Sequence, residues 1–150
     1  MPFALSSPAF ADGAEIPRSY TCDGENRPPR LTWHDPPTGT RSFALIVDDP
    51  DAPSGTFTHW VLFDVPAGMT ELSETAGAVG RQGRNDFGKN GYGGPCPPKG
   101  HGPHRYFFKL SALNLETLEL PDGTSRSRVE AAMQGHTLAT AQFAGRYERK

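Results

Sequence analysis

A chain of 150 residues carrying 15 Lys and Arg against 17 Asp and Glu, a formal charge of −2, has no basic block along which a nucleic-acid backbone could lie. No window approaches the roughly 20 apolar residues of a membrane span, and the first residues lack a leader's charged start and long apolar stretch, so one domain over residues 1–150 with a cytoplasmic address is expected. The 17 Gly and 15 Pro occur without repetition, which excludes a low-complexity chain and points to a turn-rich globular domain.

In chain order, residues 3–6 and 31–33 are weak strand candidates. Residues 42–47, Ser-Phe-Ala-Leu-Ile-Val, form a continuous apolar run that ends at an acidic, proline-containing turn, as a buried strand leaving the core does. Residues 59–65 form a second such run, closed by Pro66-Ala67-Gly68. Residues 77–100 hold few aliphatic side chains and many glycines, which predicts a long ordered loop of the functional kind. Residues 106–113 are rich in the aromatics that sheets favour and give the third central strand. Ser127 and Glu130 have capping-box spacing, with Gly135 placed to end a helix, so one helix is expected over 127–135. Residues 140–147 are a last strand candidate, weakened by Gly145.

Cys22 and Cys96 are too few for a disulfide framework and too far apart for a CxxC motif, so two reduced cysteines are expected. A bridge would require their Cα atoms to come within about 7 Å.

Two proline-rich segments carry the chemistry. Asp49-Pro50-Asp51-Ala52-Pro53 closes the first apolar run, and the prolines restrict both carboxylates to few orientations. His59 follows eight residues after Asp51, so an antiparallel return would bring it beside the acidic pair. Gly94-Pro95-Cys96-Pro97-Pro98 is followed by His104-Arg105-Tyr106, where His104 and Tyr106 share one side of a strand. Three chemistries fit such a cluster. Two histidines and a carboxylate could ligate a metal. A histidine held by an aspartate could act as a base in a hydrolase or transferase, with Cys96 the only evident nucleophile. Two imidazoles and a phenol could instead hold an anion while the carboxylates orient the rings. The basic stretch Gly80-Arg81-Gln82-Gly83-Arg84-Asn85-Asp86 could reach an anionic ligand but reads first as a solvated loop.

Together these segments, with Tyr20-Thr21-Cys22-Asp23-Gly24-Glu25-Asn26 and Gln82-Gly83-Arg84-Asn85-Asp86-Phe87-Gly88, resemble the phosphatidylethanolamine-binding protein or Raf kinase inhibitor protein family, in its bacterial branch. The resemblance runs end to end. It implies a mainly β fold, an antiparallel Greek-key β-sandwich of a large central sheet and a smaller sheet with a few short helices. It also implies a pocket for a small phosphorylated molecule or phospholipid headgroup. Carried over, Asp49 and Asp51 match the family's acidic pair, His59 and His104 its histidines, and Tyr106 its tyrosine. Cys96 falls where animal members have a pocket glycine, Pro97 and Pro98 match the prolines that follow, and Phe57 falls where those members have a tryptophan. The Ala52-Pro53 bond resembles one that is cis in the family. The loop before His59 is shorter than in animal members, and Arg30 departs from the family's Ser-Pro-Pro-Leu pattern. The expectation is a binding or regulatory protein, not an enzyme, without cofactor. A homodimer is expected by base rate and by the same resemblance.

Overall fold

The computed structural model describes residues 2–75 and 79–150. Gly77, the first residue of the expected long loop, lies outside the described residues. Among the described residues eight strands, β1 (Ala4–Ser6), β2 (Leu31–His34), β3 (Ser42–Asp49), β4 (Phe57–Pro66), β5 (Glu71–Leu72), β6 (Arg81–Gln82), β7 (His104–Leu113) and β8 (Thr137–Tyr147), accompany one α-helix, α1 (Arg126–Met133). All strand pairings are antiparallel. A small sheet has the order β1-β2-β5, and a large one the order β6-β4-β3-β7-β8. The chain therefore crosses from one side of β3 to the other between β4 and β7, a Greek-key connection.

β3 is buried along its whole length because both of its faces are covered. Phe43, Leu45 and Val47 join Trp60, Leu62, Phe108 and Leu110 in a core shared with Leu5, Leu31, Trp33 and Leu72 of the small sheet. On the reverse face Ala44, Val61, Phe63 and Leu113 pack against Val129 and Met133 of α1. This two-sided burial explains a continuous apolar run where a one-sided strand would alternate. Each such side chain contributes roughly 1.5–3 kcal/mol of burial.

The expected helix is present but starts earlier. Its N-cap is Ser125, whose Oγ accepts from the Arg128 N–H at 3.4 Å. Ser127 therefore lies within the first turn and does not cap it. Arg126 is held inward by a 2.9 Å ion pair with buried Asp48 on β3, which fixes the helix start against the sheet. Among the described residues no helix is long and apolar enough to cross a membrane.

Candidate functional site

A cavity of about 200 Å³ lies beyond the C-terminal end of β3. Asp49, Phe57, His59, Cys96, Pro97, Pro98 and His104 all line it, together with Ala52, Pro53 and Phe87. A larger and more open depression of about 590 Å³ lies over Glu15, Arg18, Arg146 and Glu148; its mixed charges make it the less specific of the two.

His59 owes its position to a β-bulge. Along the β3–β4 pair, Val47 faces Trp60 and Asp48 faces Thr58, so His59 is the extra residue without a partner across the ladder. It is thus the third residue of β4, within the strand and not ahead of it. The bulge turns its ring onto Tyr106, 5.2 Å away in an edge-to-face contact, and against Phe57 and Phe87. Nδ1 donates to the Gly93 carbonyl at 2.7 Å. A carbonyl only accepts, so Nδ1 keeps a proton and Nε2 is the bare nitrogen of the neutral ring.

Burial holds the His59 pKa below the ordinary histidine value of 6.5, against the pull of the Gly93 carbonyl and Asp49. The unfolded chain therefore binds a proton before the folded one does. Stability is full above pH 6.5 and falls as the pH drops below it, until the lowered folded-state value is passed. Each pH unit between the two values is worth about 1.4 kcal/mol. Urea unfolding at pH 7.5 and pH 5 should show this acid-side loss in the wild type and a smaller one in His59→Gln.

His104 is the first residue of β7 and is buried. Its Nδ1 donates to Asp49 Oδ2 at 2.6 Å, while Asp49 Oδ1 accepts from the Asp51 N–H at 2.7 Å. Asp49 is thereby spent on orienting the imidazole and closing the Asp-Pro-Asp turn.

Asp51 does not share this role. Its carboxylate takes a forked pair of 2.9 Å bonds from Arg105 Nε and an Nη, and a third from the Arg105 N–H. These bonds hold it at about pKa 2, and it lines an outer depression with His101 and Arg146 and is absent from the cavity. Its share of stability is present above 3.8 and lost as pH falls through about 2, a small share because Arg105 is more than half exposed.

Tyr106 lies beneath the two histidines, its ring 6.5 Å from His104, and does not line the cavity surface. Its buried hydroxyl has no hydrogen-bond partner among the described residues. Burial and nearby Asp49 push its pKa up, so it stays a donor.

Residues 6–148 match the family model described as phosphatidylethanolamine-binding protein. The chain belongs to that family. It is 55% identical to a UPF0098 protein of Aquifex aeolicus, over 95% of this chain and 86% of that one. The crystal structure of Escherichia coli YbcL, described as a new member of the mammalian family, superposes with a TM-score of 0.92 at 37% identity over the full length of both chains. The family homologue CT736 of Chlamydia trachomatis superposes with a TM-score of 0.91 at 36% identity, over 99% of this chain and 98% of that chain.

Two features differ from what the cysteine count and the resemblance suggest. Cys22 and Cys96 are joined in a disulfide, their Cα atoms 5.4 Å apart. Loop geometry that no sequence spacing reveals brings residues 74 positions apart within bonding reach. The Ala52-Pro53 bond, which resembles one that is cis in the family, is trans here, since no cis peptide occurs among the described residues.

The family motif at residues 20–26 braces the cavity wall. Cys22 N–H donates to Pro95 O at 3.1 Å, Asn26 Oδ1 accepts from Gly94 N–H at 2.9 Å, and Tyr92 Oη donates to Tyr20 O at 2.7 Å. A Cβ on Gly94 would lie 2.3 Å from the Tyr20 carbonyl oxygen, so only glycine permits this approach. The motif at 82–88 places Phe87: Asn85 Oδ1 accepts from the Phe87 and Lys89 N–H groups, and its Nδ2 donates to Gly91 O. Sequence reasoning did not single out Phe87 or His101. Phe87 lies in the loop expected to be functional, and an aromatic among glycines was the available signal.

Proposed function

We propose that this chain is a binding or regulatory protein, one domain over residues 1–150, whose cavity takes a small oxyanion group such as a phosphate or phospholipid headgroup. The observation that carries the reading is a pair of cavity-lining histidines, His59 and His104, whose Nδ1 atoms are already fixed by Gly93 and Asp49, with the unpartnered hydroxyl of Tyr106 buried beneath them. The cavity volume of about 200 Å³ suits a headgroup and not a whole lipid. The apolar rings of Phe57 and Phe87 over this floor strengthen any charge contact by excluding water.

The hydrolase or transferase reading loses support because Cys96, its candidate nucleophile, is held in the disulfide. The metal reading loses support because no three His, Cys, Asp or Glu side chains among the described residues are grouped as ligands. The disulfide favours an oxidising compartment over the cytoplasm expected from sequence. A homodimer stays the proposed assembly.

Calorimetry with inorganic phosphate tests the reading. His59 is held neutral, so Nε2 must gain a proton to donate to the anion, and affinity should rise as pH falls through 6.5 and below. His59→Ala and His104→Ala should weaken binding at least about tenfold, and Tyr106→Phe by about 10- to 100-fold without loss of folding stability. Unchanged affinity in all three variants would reject the assignment.

A further inference from the structure

Both ring nitrogens of His104 are engaged inside the protein. Nδ1 is bonded to Asp49, so Nε2 is the nitrogen left for a ligand, and it lies 2.7 Å from Nδ1 of His101. The His104 ring separates two depressions: the cavity shared with His59, and an outer one of about 450 Å³ shared with His101, Arg105 and Arg146. His101 reaches the ring from the outer side.

We propose that His101 is a gate on the cavity: it occupies His104 Nε2 in the absence of ligand and must release it before that nitrogen can hold an oxyanion. The proposal rests on the oxyanion reading of the cavity.

One proton lies between the two nitrogens. With both rings neutral, His101 Nδ1–H donates to His104 Nε2, which then has no proton to offer an anion. When His101 also carries a proton on its outward Nε2, the shared proton can move. The His101 Nδ1–H bond breaks, a His104 Nε2–H bond forms, and His101 is left neutral with its remaining proton on Nε2. The pair keeps a single positive charge throughout. Facing it are Asp49 from β3, Asp51 from the turn that follows, His59 from β4, Arg105 and Tyr106 from β7, and Arg146 from β8.

The local backbone allows the movement. His101 lies between Gly100 and Gly102, both in the left-handed region at φ +76° and +85°, and a Cβ on either would meet nothing within 4 Å. Such residues absorb backbone rotation at little cost. His101 itself is exposed.

Nitrogen-15 NMR and phosphate titration of the full chain test the gate together. A nitrogen–nitrogen coupling across the His101–His104 bond is expected in the free protein and should vanish on saturation with inorganic phosphate. His101→Ala should bind phosphate several-fold and up to about tenfold more tightly, because one hydrogen bond no longer competes. His101→Asn, whose amide can stand where Nδ1 does, should return the affinity toward wild type; a purely structural role for the loop would not give that reversal. A coupling that persists in the saturated protein, or a His101→Ala affinity equal to or weaker than wild type, would overturn the gate. If phosphate binds all three proteins equally, only the gate falls. If it binds none of them, the reading of the cavity falls and the gate with it.

Discussion

Replacement of Asp49 by alanine is expected to lower the unfolding free energy by about 3–5 kcal/mol, the usual cost of breaking a buried ion or hydrogen-bonded pair by removing one member. Asp49 and His104 have side chains only 4% and 2% exposed, so water cannot replace the lost carboxylate. Two donors are orphaned together, His104 Nδ1–H and the Asp51 N–H. Asp49→Asn keeps an acceptor of the same shape and should cost less, about 1–3 kcal/mol. Phosphate binding should suffer most in Asp49→Ala, because His104 then loses the acceptor that fixes its ring. Urea unfolding of the two variants, alone and combined with His104→Ala, measures the coupling between the pair. A near-zero coupling energy would show that the 2.6 Å contact does not organise the site.

Reduction of the Cys22–Cys96 disulfide is the other large effect. The bond closes a loop across a sequence separation of 74, for which the chain-entropy relation gives about 4 kcal/mol. For a domain of this size that corresponds to a fall in Tm on the order of 10 °C. The effect should reach beyond stability, because Cys96 lies in the same wall as Pro97 and Pro98 and the bond ties that wall to residues 20–26. Phosphate affinity should therefore fall on treatment with dithiothreitol, and Cys22→Ser should reproduce both losses. Two free thiols titrating in the untreated, folded protein, with a melt insensitive to reductant, would contradict this role.

Two central strands were legible because burial on both faces leaves a plain signature, the runs at 42–47 and 59–65 corresponding to β3 and β4, whereas 106–113 in β7 alternates over its first half and was legible from its aromatics. β5 and β6 are two residues each, held by pairing across the sheets and not by any pattern of their own. The helix was visible in composition, but its cap was misplaced because Ser125 and Ser127 offer the same chemistry and only the backbone chooses between them.

The site was legible in its parts and less so in its wiring. Asp49 and Asp51 look like an equivalent pair in sequence, yet Arg105, the residue after His104, draws Asp51 outward while His104 draws Asp49 inward. His59 looks like a strand-start histidine, yet a bulge aims it. His101 sits three residues before His104 in a glycine-flanked turn, and only the fold of that turn reveals their contact.

A crystal structure determined from phosphate-containing solution at about pH 6 decides whether the cavity beyond β3 holds an oxyanion. One ordered oxyanion is expected inside the cavity, within hydrogen-bond distance of His59 Nε2 and His104 Nε2, with Phe57 and Phe87 closed over it. An ordered oxyanion found only on Arg105 and Arg146 in the outer depression, with water alone against His59 and His104 in the cavity, would overturn the reading.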